Sequence, residues 1–141
     1  MKLIPLVFLF VGLSAHAEFS MQLTTGHGLP AMYEGTIRAA DFDGDEKLDV
    51  LMSGFTQGGA VPGGLIVKIF KNVSTVGNIK FQLMHDLSNS AGMVSDSSSQ
   101  VDVGDFDGDG DIDFVFEGAY ITIAINNGSS FSSAHITNSS G

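Results

Sequence analysis

The chain after its first residues alternates short apolar runs with glycine-rich and acidic segments. Residues 50–52 and 114–116 are apolar runs bounded by glycine, as buried strands commonly are. Ile121, Ile123 and Ile125 alternate with smaller residues, which is the period of a half-buried strand. No stretch keeps a sustained helical period. The pattern therefore predicts an all-β protein.

The pattern occurs twice, with an offset of 64 residues. Residues 40–45 read ADFDGD and residues 104–109 read GDFDGD, and an apolar strand follows each copy. A lone aromatic residue, Phe81 or Phe131, comes late in each copy. We place repeat one at about residues 30–87 and repeat two at about residues 95–141.

Each repeat predicts one small antiparallel sheet. A first strand, at residues 35–40 or 99–104, leads into the acidic segment, a second strand leaves it, and two more follow. Residues 127–128 are Asn-Gly, a strong hairpin turn signal before the last strand. A sheet of this size cannot bury both faces by itself, so it is expected to stack on neighbouring sheets.

The acidic segments read D-F-D-G-D-x-x-x-D, and we name residues 41–49 the first loop and residues 105–113 the second loop. Each loop holds five acids within nine residues. Two carboxylates ~4 Å apart repel each other by about 1 kcal/mol in water and more at lower dielectric. A chain that repeats this arrangement is expected to neutralise it with a cation. Ca²⁺ suits alternating carboxylates best, because it takes about six to eight oxygen ligands.

The two loops predict equivalent calcium sites, about two ions in all. Side chains at positions one, three, five and nine can converge on one ion, and position seven can offer its backbone carbonyl whatever its side chain. Gly44 and Gly108, at position four, are expected to adopt the positive φ that folds each loop inward. The predicted metal-site residues are Asp41, Asp43, Asp45, Lys47 and Asp49 in the first loop and Asp105, Asp107, Asp109, Asp111 and Asp113 in the second loop.

Other interpretations of the loops fit less well. An EF-hand needs a glutamate at position twelve, where this chain has Met52 and Phe116. Zinc and copper prefer His or Cys ligands, and the chain has no Cys and no His near either loop. A solvated acidic turn without metal is the remaining alternative, and the recurrence of the spacing argues against it.

The negative charge of the chain is local and bears on its partners. The formal charge is −10, from sixteen acids and six bases, and ten of the acids lie in the two loops. Such a chain is not expected to bind nucleic acid, whose phosphates would be repelled, or to dock on anionic membranes. Because there is no Cys, bound metal is a candidate for the role that disulfides play in many secreted proteins.

Residues 1–17 predict a secretory signal peptide. Lys2 precedes an apolar run at residues 3–13, and Ala15-His16-Ala17 has the small-x-small form of a cleavage site. The run is shorter than the roughly 20 apolar residues of a membrane-spanning helix. We therefore expect a secreted protein, extracellular or periplasmic, with no transmembrane segment and with a repeat region at residues 18–141.

The loop followed by an apolar strand resembles the FG-GAP or VCBS repeat, which is also found in the integrin α-chain head. The segments KIFKN, residues 68–72, and IAINN, residues 123–127, are similar to that family's strand ending in Asn. The resemblance covers about residues 35–131. It implies one four-stranded propeller-type blade per repeat, with calcium bound in the turn between the first two strands.

The sequence differs from the family pattern in two respects. Glu46 stands where the second loop has Gly110, so we expect a strained or differently shaped first site. The chain also supplies only about two blades, whereas the larger β-propeller of that family has more. We interpret the chain as a partial product, or else as one copy of a homo-oligomer that completes the ring.

The predicted function is non-catalytic: a secreted module for binding or adhesion to an extracellular protein or glycan. The alternatives are the propeller portion of a larger secreted enzyme, such as a polysaccharide-degrading one, and a purely structural repeat with no partner. His27, His85 and His135 have no ligand spacing, and no serine or cysteine nucleophile motif is present. A glycosidase needs one protonated carboxyl group, whereas a calcium ligand must be ionised.

Overall fold

The computed structural model describes residues 26–56, 65–88, 100–117 and 121–136. These residues form eight strands and no helix, so none of them belongs to a helix with the length and apolar character needed to span a bilayer. The predicted signal peptide at residues 1–17 lies outside the described part of the chain.

The strands form two four-stranded antiparallel sheets, each connected in chain order. The first sheet contains β1 (Met32–Ala40), β2 (Asp49–Thr56), β3 (Leu65–Asn72) and β4 (Phe81–Asp86). The second sheet contains β5 (Val101–Gly104), β6 (Asp113–Glu117), β7 (Ile121–Asn126) and β8 (Phe131–Ile136). The all-β prediction of two four-stranded antiparallel sheets is confirmed.

The strand boundaries differ slightly from those expected. β1 begins at Met32, earlier than the predicted residue 35, and a β-bulge between Tyr33 and Gly35 keeps its start paired with β2. The described part of β5 is short, Val101–Gly104. The Asn-Gly signal does mark a hairpin, in which the Asn127 N–H donates to the Ser130 carbonyl at 2.8 Å.

The hydrophobic core lies between the two sheets. Leu51 and Ile69 pair across β2 and β3 and are fully buried in the first sheet. Phe114 and Phe116 of β6 are equally buried and belong to the same apolar cluster. Phe131 packs against this cluster, with its ring centroid 5.5 Å from that of Phe114. Burial of large apolar side chains from both sheets is what joins the two repeats.

β7 shows the predicted alternation, but its inward face carries the smaller residues. Thr122, Ala124 and Asn126 are at most 1% exposed, whereas Ile121 is 48% exposed. Ala124 pairs with Phe114 on the same face. Because the phenylalanines of β6 fill the space between the sheets, only small or slender side chains fit beside them at the density of a protein interior.

The two sheets present equivalent faces in the same direction. When the sheets are aligned on the aspartate that begins β2 or β6, Val115 corresponds to Leu51. When they are aligned on the asparagine that ends β3 or β7, Ile123 corresponds to Ile69. Leu51 and Ile69 are fully buried and belong to the apolar cluster that the two sheets share. Val115 and Ile123 lie on the far face of that sheet and are only half-buried. The second sheet therefore presents outward the face by which the first sheet packs.

Candidate metal sites

The two acidic loops lie where the sequence places them, between β1 and β2 and between β5 and β6. Gly44 has φ 73° and Gly108 has φ 81°, which confirms the expected left-handed turn at position four. At position six, Glu46 has φ 66° where Gly110 has φ 98°. A side chain in this conformation costs about 1–2 kcal/mol, so the first loop is the more strained of the two.

The first aspartate closes each loop. Asp41 accepts hydrogen bonds from the backbone N–H groups at positions four, five and six, at 2.7–3.1 Å. Asp105 accepts them from positions four and six, at 2.6 and 3.1 Å. These bonds turn the loop backbone toward the carboxylate and leave its remaining lone pairs available to a cation.

The last aspartate of each loop is fully buried and holds the loop to the sheet. Asp49 accepts the N–H at position two at 3.1 Å and the N–H of Asn72 at 2.8 Å, one on each oxygen. Asp113 makes the same two bonds, to position two and to Asn126, both at 2.8 Å. Position nine thus has a structural role that the sequence analysis did not identify.

Asn126 links the two loops to each other. Its side-chain amide donates to the carbonyl of Phe42 in the first loop at 3.0 Å and to that of Ile112 in the second loop at 3.2 Å. The side-chain amide of the equivalent Asn72 donates within its own loop, to the Leu48 carbonyl at 3.0 Å. The sequence pattern predicted these asparagines only as strand ends. The hydrogen bond from Asn126 to Phe42 joins residues 84 positions apart, so no local sequence signal could predict it.

Three carboxylates converge in each loop. One oxygen from each member of the triad lies within 4.8 Å of the others. Oxygens that share one Ca²⁺ at about 2.3–2.6 Å lie no more than about 5 Å apart, so this spacing suits one hard cation per loop. The triads are Asp41, Asp43 and Asp49 in the first loop and Asp105, Asp107 and Asp109 in the second loop.

The remaining four predicted site residues lie outside the triads. Asp45 instead pairs with lysines, and the Lys47 ammonium at position seven is 3.5 Å from its carboxylate. Asp111, the counterpart of Lys47, is exposed. Asp113 is buried beside its triad, with both oxygens bonded to backbone N–H groups. The structure therefore places six of the ten predicted residues in two triads of possible ligands, one triad in each loop.

A lysine outside the motif, which the sequence pattern did not predict, enters the first loop. The Lys71 ammonium, from β3, contacts the Asp43 carboxylate and lies 3.0 Å from that of Asp45. The hydrogen bonds to Asp43 and Asp45 raise the pKa of Lys71, and the bond from Lys71 is the main reason that the pKa of Asp45 is lowered. The only sequence signal is the lysine next to the strand-ending Asn72.

In the described part of the chain, the second loop has no such counter-charge. Among the described residues, no salt bridge reaches any of its acids. Desolvation is the main reason that the pKa of Asp107 is raised. The hydrogen bond from the Asp109 backbone N–H opposes this rise, and repulsion from the neighbouring carboxylates adds to it. The two loops share a motif but differ in their electrostatics.

Burial gives Asp49 an unusual pH response. It raises the pKa of Asp49, and the N–H groups of Asn72 and Phe42 offset that rise only in part. The folded-state pKa is then above the unfolded value of about 3.9, so the folded protein binds the proton more tightly. In metal-free protein, Asp49 therefore contributes most to the free energy of unfolding below the unfolded pKa, and this contribution is lost as the pH rises through the folded pKa.

Asp86 is expected to respond in the opposite sense. Desolvation opposes ionisation of Asp86, but the Ser88 hydroxyl and the Lys68 ammonium outweigh it and lower the pKa. Its stabilising contribution is present above the unfolded pKa and lost as the pH falls through the lower folded pKa. Side-chain carboxyl ¹³C shifts of metal-free protein should give a higher titration midpoint for Asp49 than for Asp86. The reverse order would contradict the assigned burial of Asp49.

No family model matches the chain, and no curated protein or solved structure matches it. The function is therefore inferred from the loops and sheets themselves. Each sheet has a buried aspartate that fixes the loop and a triad of converging carboxylates, and in the first loop the buried aspartate belongs to the triad.

Proposed function

We propose that this protein is a secreted calcium-binding β-repeat module of the FG-GAP or VCBS type, in which each sheet is a propeller-type blade. The observation that carries the proposal is the recurrence of a carboxylate triad in the same turn of both sheets. Oxygen-only ligands, clustered without His or Cys, favour Ca²⁺ over transition metals.

In this proposal calcium stabilises the loops. Metal-free carboxylates in one loop repel one another, and a bound divalent cation converts that repulsion into attraction. At a free calcium concentration of 100 times the dissociation constant, each site adds about 2.7 kcal/mol to the free energy of unfolding. Extracellular calcium modules bind at ~10⁻⁴–10⁻³ M, which fits a secreted protein.

The blade interpretation is supported by the equivalent faces of the two sheets. Val115 and Ile123 of the second sheet correspond to Leu51 and Ile69, which belong to the buried cluster between the sheets. Val115 and Ile123 lie on the face of the second sheet that points away from the first sheet. Head-to-tail packing of this kind can continue through further sheets of the same type. We propose that a further sheet, from a longer chain or another copy, covers this face.

We propose a binding role, with an extracellular protein or glycan as the partner. Asp41 and Asp49 close and anchor the first loop by accepting hydrogen bonds from backbone N–H groups. A hydrolase that uses paired carboxyl groups needs one of them protonated near neutral pH, whereas a carboxylate that coordinates Ca²⁺ is deprotonated. We therefore propose that the loop acids hold a cation and do not serve as acid–base catalysts.

A calorimetric Ca²⁺ titration of the purified protein tests this function. We expect about two binding events in the natural sequence, and their loss in the double variant Asp43→Ala with Asp107→Ala, because each substitution removes one triad ligand. A parallel Mg²⁺ titration should give weaker binding, since Mg²⁺ demands stricter geometry and keeps more water ligands.

The matched control removes two carboxylates outside the loops, through Asp102→Ala with Glu117→Ala. It has the same change in net charge and should keep both binding events. Absence of calcium binding to the folded natural protein would show that the triads are not calcium sites. Equal loss of binding in the control would assign the effect to net charge.

A further inference from the structure

We infer that Lys71 is a tethered cation that competes with calcium in the first loop, so the second loop fills with calcium before the first. This inference rests on the proposed calcium binding and concerns the order in which the two loops are occupied. It assigns a specificity role to a residue outside the repeated acidic motif.

The position of Lys71 carries the inference. Its ammonium contacts Asp43, a member of the first triad, and lies 3.0 Å from Asp45. A cation arriving in this loop must share or displace that ammonium, because like charges at such separations repel strongly. One oxygen of the Asp43 carboxylate is already paired with the Lys71 ammonium in metal-free protein.

The second loop has an apolar residue where the first has Lys71. Asn72 and Asn126 each donate a backbone N–H to the buried position-nine aspartate at 2.8 Å, which makes them structural equivalents. The residue before each asparagine is Lys71 in β3 and Ile125 in β7. A bound divalent cation in the second loop would therefore meet no competing ammonium from this position.

The composition of the two triads agrees with this difference. The second triad uses the aspartates at positions one, three and five, whereas the first replaces position five with position nine. The displaced residue, Asp45, is the one paired with both Lys71 and Lys47. The aspartate that is absent from the first triad is therefore one that two lysines contact.

The two loops should also differ without metal. Lys71 neutralises part of the charge of the first loop, so that loop should keep its shape in calcium-free protein. The second loop has five acids and, among the described residues, no basic partner. Its order should depend more strongly on calcium.

Reciprocal variants test the inference in the full chain. The amide NMR signals of Gly44 and Gly108, at position four of each loop, report the two sites separately during a Ca²⁺ titration. In the natural protein we expect Gly108 to reach half-saturation at a calcium concentration roughly tenfold lower than Gly44. Lys71→Ile should lower the Gly44 midpoint roughly tenfold and leave the Gly108 midpoint in place.

Ile125→Lys should raise the Gly108 midpoint by a similar factor, and Lys71→Gln, which keeps a polar side chain, should reproduce Lys71→Ile. Lys80→Ile removes a lysine that forms no salt bridge among the described residues and should shift neither midpoint appreciably. Equal midpoints in the natural protein, or no shift of Gly44 with Lys71→Ile, would overturn the inference while leaving calcium binding intact. No response of either glycine to calcium in any variant would overturn both proposals.

Discussion

Replacing Phe114 with alanine is expected to lower the free energy of unfolding by about 3–5 kcal/mol. Phe114 is fully buried between the sheets, and its ring packs against Phe131 with centroids 5.5 Å apart. The substitution removes a large apolar side chain and leaves a cavity at the contact that joins the two repeats. Because a whole domain is stable by only about 5–15 kcal/mol, this loss is a large fraction of the total.

Denaturant unfolding, followed by circular dichroism in calcium-free buffer, measures this effect. The control is Phe106→Ala in the second loop, where the side chain is 49% exposed and at most about 1 kcal/mol should be lost. Phe114→Leu should lose less than the alanine variant, which keeps the prediction measurable if that variant does not fold. An equal loss at positions 106 and 114 would show that the sheets do not pack as described.

Replacing Asp113 with alanine is expected to cost about 2–4 kcal/mol even without calcium. Its two oxygens accept the N–H groups of Phe106 and Asn126, both at 2.8 Å, and its side chain is fully buried. Alanine leaves these two donors without acceptors, and an unsatisfied buried donor costs about 1–3 kcal/mol. The second loop would also lose its attachment to β7.

The matched control is Asp111→Ala, which removes an exposed acid from the same loop. With EDTA present, the midpoint of chemical unfolding should fall for Asp113→Ala and stay close to that of the natural protein for Asp111→Ala. A loss that appears only when calcium is present would mean that Asp113 acts as a metal ligand alone. Such a result would contradict its anchoring role.

The acidic loops could be predicted from sequence because their signal is local. Spacing, glycine at position four and the apolar strand that follows are all contained within about a dozen residues. The structure agrees on the loop positions and on the φ angles of Gly44 and Gly108. The role of Lys71 was not predictable in this way, since it lies 28 residues from Asp43 and approaches it only when β3 pairs beside β2.

The sequence by itself determined the secondary structure, the repeat and the candidate ligands, because strand period and turn chemistry act between near neighbours. Only the tertiary structure decided which surfaces are buried. Phe42 and Phe106 occupy the same position of the same D-F-D-G-D motif, yet they are 4% and 49% exposed. Phe42 lies at the junction of the sheets, where Phe131 of the second sheet packs against it with ring centroids 6.5 Å apart.

The same distinction applies to β7. Its alternation was visible in the sequence, but the pattern cannot say which of its two faces meets another sheet. Packing decided it: the bulky phenylalanines of β6 fill the interface, so Ala124 turns inward and Ile123 outward. Local sequence fixes the conformation of each segment, whereas burial depends on which segments the folded chain brings together.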